Sequence, residues 1–316
     1  MLKGLAITPP VIGRISIGRV VEKNGRRLPE KDDEFTLTSQ VQGLEGWVKH
    51  PLDAALRKDS SAKLRAIPVR LPFGAPELNL RAHYTLFDRE TGRPLCVGDG
   101  ERCRRVTEQG IESLPCPTPA ACPLAQDGRC KPYGRLHVRV VPPEGEMGAG
   151  EDDGLGTFVF RTTGFNSIRT LSARLAYLKA VSGGLLASLP LMLRLRGKST
   201  TQSYRAPVYY VDVTTPPGTS LEQAVVQAAA EDERRKQLGF DQWGLDEAAR
   251  EGYAAGAFEE SEEEGGAVVE EFYPETGPEG YDPGSQPEPR PKSPGGLQAR
   301  LEGRLRRGNG GDPAPA

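Results

Sequence analysis

One apolar stripe at helical spacing, flanked on both sides by alternating stretches, constrains this chain more than any other feature. In "NSIRTLSARLAYLKAVSGG" (166–184), Ile168, Leu171, Leu175, Leu178 and Val181 recur every three or four residues and line one face of a helix. Asn166 or Ser167 is expected to cap its start, and Gly183 to end it. Before it, "RLHVRVV" (135–141) and "TFVFRTT" (157–163) alternate apolar and polar residues; after it, "LMLRLRGKSTT" (191–201) and "APVYYVDVT" (206–214) do the same. Alternation with period two marks strands with one buried face. Near the N-terminus, "RISIGRVVEKNGRRLPEKDDEFTLTS" reads as two strands around a tight turn at Asn24-Gly25. "PLDAALRKDSSAKLR" (51–65) reads as a short helix. Strands, then a helix, then strands predict an α+β fold with a largely antiparallel sheet and a packed helix.

The cysteines supply the second constraint. All five, Cys96, Cys103, Cys116, Cys122 and Cys130, lie within one short stretch. No long apolar run follows Lys3 and no window reaches the ~18 apolar residues of a membrane helix, so the chain is expected to be cytoplasmic, without a membrane partner. Thiols stay reduced there, and clustered cysteines then read as metal ligands before disulfides. Zinc takes four such ligands in a tetrahedron. Cys116, Cys122 and Cys130 belong to every plausible set; the fourth is Cys96 or Cys103. Cys96 is favoured by the Gly-Asp-Gly turn after it, whose amides would turn back to the sulfur, and Cys103 is the substitute. An iron–sulfur cluster uses the same ligand set. The stretch is expected as a Cys-rich zinc-binding loop insertion, its negative charge balanced by Arg102, Arg104, Arg105, Arg129 and Lys131. A catalytic thiol would want a histidine base; His50, His83 and His137 are the only candidates, and His137 sits inside a strand pattern.

Charge divides the chain. From residue 241 onward there are 7 Lys and Arg against 17 Asp and Glu; residues 1–240 carry 34 against 26. A basic body with an acidic tail suits proteins that handle nucleic acid, and equally suits a solvated surface. The predicted organisation is a body over 1–215 with the zinc site at 96–130, a helical extension over 216–250, and a disordered, acidic, Pro/Gly-rich tail over 251–316. In the extension, "TSLEQAVVQAAAEDERRKQLG" carries Thr219 or Ser220 as a cap and is expected to pack loosely or project outward. The late run "GGLQARLEGRLRRGNGG" is a small basic amphipathic patch. No HExxH, Walker loop or GxSxG occurs. The acidic runs Asp32–Glu34 and Glu151–Asp153 read as solvated loops.

Two blocks, "CVGDG…CP…CP…GRCKPYGRL" and "GTFVFRTTGFNSIRTLSARLAYLKAVSGGLLASLPLMLRL", together with the opening "TPPVIGRISIGRVVEKNGRRLPEKDDEFTLTS", resemble the recombination directionality factor-like family of phages and integrative elements over about residues 1–215. Bacterial members often carry the label "hydrolase or metal-binding protein". Cys103 departs from the family's pattern. The resemblance implies an accessory protein of DNA recombination, not an enzyme, whose phage relatives bind a large serine integrase and switch it from integration to excision by protein contact. Three functions follow. The first is a zinc-stabilised accessory protein that docks on a recombinase or DNA, with Tyr204, Tyr209 and Tyr210 among its anchors. The second is a single-stranded DNA-binding or annealing protein. The third is a metal-dependent hydrolase, which would need an open metal position. The binding residues expected for DNA or a partner are Arg135, Arg139, Arg161, Phe165, Asn166, Arg169, Arg194 and Arg196.

Overall fold

The computed structural model describes residues 10–23, 26–43, 46–57, 59, 61–143, 156–199, 207–255, 268–269 and 272–273. All of these belong to one compact unit, Met1–Tyr281. The strands are β1 (Val11–Lys23), β2 (Arg26–Gly43), β3 (Gly46–Lys49), β4 (Ala66–Arg70), β5 (Leu80–Phe87), β6 (Pro94–Gly98), β7 (Arg102–Thr107), β8 (Gly110–Pro115), β9 (Cys130–Val140), β10 (Thr157–Thr162), β11 (Leu191–Lys198) and β12 (Val208–Thr214). The helices are α1 (Pro51–Ala55), α2 (Pro76–Asn79), α3 (Phe165–Val181), α4 (Leu221–Gln237) and α5 (Gln242–Ala255). Short 3-10 turns occupy Pro123–Gly128 and Leu186–Ser188.

The main path of the sheet runs β3-β2-β1-β10-β9-β5-β6-β7-β8. β1 and β10 pair in parallel; every other pairing is antiparallel. β9 joins this path to a second group, because Arg139 and Val140 at its end pair with β4, which continues to β11 and β12. The fold is the α+β arrangement expected, with the sheet mostly antiparallel.

Alternation decides which face is buried. Phe35 and Leu37 on β2, Leu136 and Val138 on β9, and Leu191 and Leu193 on β11 point into one core. Leu171, Leu175 and Leu178 of α3 enter the same core, each stabilising the fold by roughly 1.5–3 kcal/mol. α3 approaches β9 closely because Gly134 lacks a side chain: a Cβ there would lie 2.9 Å from Ile168 Cγ1. The helix ends at Gly183 and Gly184, both with positive φ. Its start differs from expectation. Gly164 is the N-cap, and Asn166 and Ser167 lie inside the first turn. Their side chains are engaged elsewhere: Asn166 Oδ1 accepts from Lys198 Nζ at 2.7 Å and Ser167 Oγ from the Val211 amide at 3.1 Å.

The Cys-rich stretch differs too. It is not mainly a loop but the meander β6-β7-β8, which prolongs the sheet to its edge. The 216–250 region is two helices packed on the body. α4 opens with a capping box between Ser220 and Gln223, and its Ala224 and Ala228 are fully buried in the main core. α5 packs Ala249 and Tyr253 against Phe73 and Leu78. Beyond residue 250, α5 continues to Ala255, and Val268 and Phe272 bury themselves against Phe87 and Tyr133. The acidic run Asp32–Glu34 is partly accounted for, since Asp33 pairs with Lys63 and Arg65, and Glu34 with Arg57. The Asn24-Gly25 turn, Glu151–Asp153, Tyr204, most of the acidic tail and the late basic run lie outside the described residues.

Candidate functional site

Strand register gathers the cysteines. Cys96 on β6 stands opposite Leu86 on β5, and Leu86 stands opposite Cys130 on β9. Directly opposed residues share a face of the sheet, so Cys96 and Cys130 point the same way. Cys103 on β7 is opposite Gly98 and Leu114. Gly98 is indispensable to this packing: a Cβ there would sit 2.7 Å from Cys103 Cβ and 3.0 Å from Cys116 Sγ. Cys116 follows β8 and is tied back by its amide to Glu101 O at 2.8 Å. Cys122 caps the 3-10 turn that Pro123 opens and delivers the chain to Cys130.

The thiols sense one another. Burial, then a hydrogen bond with Cys96, pushes the Cys103 thiol up to about 11. Burial, then Cys96, Cys122, Cys116 and Cys103, pushes Cys130 up to about 12. Cys103 and Cys130, whose ionisation burial and the neighbouring sulfurs oppose, are donors that a soft divalent cation would suit, because its charge reverses that opposition. Among the described residues, no three His, Cys, Asp or Glu side chains are drawn together at ion-holding geometry. The sulfurs share a region without being closed on a centre.

Two expectations about this region change. The turn after Cys96 is held by Asp99 instead: its amide donates to Arg102 O at 3.0 Å and its Oδ1 accepts the Glu101 and Arg102 amides at 2.8 Å each, closing the β6-β7 hairpin. That removes the ground for preferring Cys96, and Cys103, 3% exposed against 9%, is the deeper of the two. Of the cations expected to balance the thiolates, Arg105 reaches the sulfurs, with Nη2 3.9 Å from Cys103 Sγ and a hydrogen bond to Cys96. Lys131 lies instead over the rings of Phe272 and Tyr273.

The expected binding residues divide into two groups. On the sheet face away from α3, Arg81, Arg135 and Arg161 stand in one row across β5, β9 and β10. Arg14 on β1 points to the same face and stacks on Trp47 at 3.8 Å, and Arg81 stacks on Tyr253 at 3.6 Å. Part of this row is therefore covered. His83 and His137 belong to the face; burial and the neighbouring arginines push them down to about 4 and about 3. Arg139 continues the β9 series toward Arg70 on β4.

The second group surrounds the start of α3. Phe165 and Arg169 are exposed, and Asn166 holds Lys198. Arg196, with Arg174 from α3, pairs with the buried Asp212 at 2.6 and 3.2 Å. Arg194 stands opposite Asp212 with its Nε buried and unbonded among the described residues. Tyr210 lies beside Lys198, while Tyr209 packs over Gly197. Sequence reasoning missed Arg14, Arg81, Arg70 and Asp212, whose positions depend on pairings between distant strands.

The fold and these surfaces define an α+β protein with a thiol-rich sheet edge and basic faces. None of its described helices is long and apolar enough to cross a membrane. The family model described as Gp3-like, recombination directionality factor-like, matches residues 12–216, and the chain belongs to that family. No curated protein and no solved structure matches.

Proposed function

We propose that this chain is a zinc-binding accessory protein of DNA recombination on a phage or integrative element, acting by contact with a site-specific recombinase of the large serine integrase type. Family membership over nearly the whole body carries the reading. The histidines support a non-catalytic role. His83 and His137 are held neutral far below pH 7, and His50 Nδ1 caps α1 by accepting from the Leu52 amide. The exposed Phe165, Arg169 and Arg196, arranged on the rigid end of α3 and β11, offer the aromatic and guanidinium groups that anchor interfaces.

Zinc would be held by Cys116, Cys122 and Cys130 with Cys96 or Cys103. It would neutralise the thiolates and clip the β6-β7 hairpin to the start of β9. Cys96, Cys103 and Cys130 sharing one face, with Gly98 bare beside Cys103 and Cys116, supports this reading.

Direct DNA contact is the second reading, and the Arg81–Arg135–Arg161 row favours it. Binding of purified protein to the integrase of its own element separates the two. Phe165→Ala with Arg169→Glu should weaken that complex by about tenfold or more and leave the fold intact. Integrase binding unchanged by the double variant, with steeply salt-dependent DNA binding in the absence of integrase, favours the DNA reading.

A further inference from the structure

Where the β9 arginine series ends, arginines from three elements converge on one cleft of about 550 Å³. Arg70 ends β4, Arg139 stands opposite it on β9, and Arg235 comes from the last turn of α4. Arg70 donates to Ser188 O; Arg235 donates to Ser188 Oγ at 3.3 Å and to Gln242 Oε1 at 2.7 Å. Arg139 Nε is buried with no hydrogen-bond partner among the described residues. The acid lining the cleft, Glu231, is held by Arg234 through two bonds of 2.9 and 2.8 Å. Burial lowers the basicity of all three arginines, and each is lowered further by another of them, Arg70 by Arg235, Arg139 by Arg70 and Arg235 by Arg139, while Glu231 offsets this only in part. Three like charges drawn together out of water, one with an orphaned donor, form an arrangement that an anion would relieve.

The cleft is more than an anion hole. Phe240 lines it, with the Arg235 guanidinium 4.0 Å over the ring centroid, yet remains 43% exposed. The volume lies in the range of small-ligand pockets, roughly 300–1,000 Å³, and exceeds what a bare phosphate needs. Guanidinium forks match phosphate oxygens, and an aromatic ring beside them suits a base.

We propose that this cleft binds a nucleotide unit, its phosphate on Arg70, Arg139 and Arg235 and its base against Phe240, whether free or within a single strand. The inference does not rest on the integrase reading above.

Calorimetry on the full chain tests it with 5′-dTMP, thymidine, inorganic phosphate and a dT10 oligonucleotide. The expected result is dTMP or dT10 bound about tenfold or more tightly than thymidine or phosphate, with that binding about tenfold weaker in Arg139→Gln. Phe240→Ala should weaken it severalfold. Loss of dTMP binding in Arg139→Gln assigns the site to a free nucleotide; loss confined to dT10 assigns it to a strand. Either result supports the proposal. Without ligand, Arg139→Gln should melt at or above the wild-type temperature, because a repelled charge has been removed. If it melts earlier, Arg139→Lys, which keeps the charge and loses the fork, replaces it and should bind more weakly than wild type. Binding of dT10 untouched by Arg139→Gln in the absence of dTMP binding overturns the proposal, as does binding of none of the probes. Thymidine equal to dTMP overturns the phosphate contacts, and phosphate equal to dTMP overturns the aromatic one.

Discussion

Adding a single methyl group at Gly98 tests whether the thiol cluster is as closely built as the strand register implies. Gly98 does not have the positive φ of a turn glycine, so alanine fits its backbone. In an uncrowded strand, Gly→Ala stabilises by about 0.4–1 kcal/mol through the unfolded chain. Here the new Cβ would lie 2.7 Å from Cys103 Cβ, 2.9 Å from Arg102 O and 3.0 Å from Cys116 Sγ. Comfortable carbon contacts lie near 3.5–4.0 Å. Two of the three obstacles are backbone or Cβ, so relief means parting β6 from β7 or displacing Cys116. Overpacking costs about 1–3 kcal/mol, and contacts this short with backbone and Cβ fall in the upper half of that range, about 2–3 kcal/mol, so the net loss after the chain term is about 1–2 kcal/mol. In a domain of this size that lowers Tm by about 2–8 °C. Gly43, whose nearest neighbours would be 3.7 and 3.8 Å away, is the comparison. Thermal unfolding followed by circular dichroism should show Gly98→Ala melting below wild type and Gly43→Ala at or slightly above it. Gly98→Ala melting at or above wild type would refute the reasoning, because the cysteines would then not crowd that strand.

Cys130→Ser should lower bound zinc, measured on the purified full chain by mass spectrometry, and lower Tm with it, since metal binding and folding are coupled; full metal and full stability in this variant would contradict the zinc proposal. Leu175→Ala removes a fully buried stripe residue and should cost about 2–5 kcal/mol in denaturant unfolding. Asp212→Ala strips Arg174 and Arg196 of their shared acceptor and leaves the Val213 amide without the carboxylate it bonds at 2.9 Å, for a loss of about 1–3 kcal/mol. Acid should weaken the fold in a defined window. His83 and His137 stay neutral in the folded state down to about pH 4 and about pH 3, whereas unfolded histidine takes up its proton near 6.5. The unfolded chain therefore binds more protons from about pH 6.5 downward, so stability falls as pH drops from 7 toward 4 and levels off below the folded values. His83→Gln should flatten that fall, as read from urea midpoints at pH 7 and pH 5.

The legible parts of this fold are those where large side chains repeat at a fixed period. α3 declared itself through Leu171, Leu175 and Leu178, and β9 through β12 through alternation. The edge meander did not. β8 is exposed along most of its length, and β7 buries only Cys103, so neither presents an apolar face to read. α4 was legible as a helix from its cap, but its docking on the body was not: it packs through Ala224 and Ala228, too small to make a strong stripe. The cysteines were visible as a group, but their relative depth depends on β6-β7 register, which the Gly-Asp-Gly motif misrepresented as a sulfur-directed turn. The arginine row could not be assembled from sequence, because Arg81, Arg135 and Arg161 meet across strands far apart in the chain.

An in vitro recombination assay tests the central claim most directly. Integrase, a plasmid carrying the recombined attachment sites and this protein are combined, and excision product is measured with and without the protein. The account predicts excision that depends on this chain and is reduced about tenfold or more by Phe165→Ala with Arg169→Glu, and no excision or other chemical change to the DNA when the integrase is omitted. Excision unaffected by the presence of the chain would contradict it.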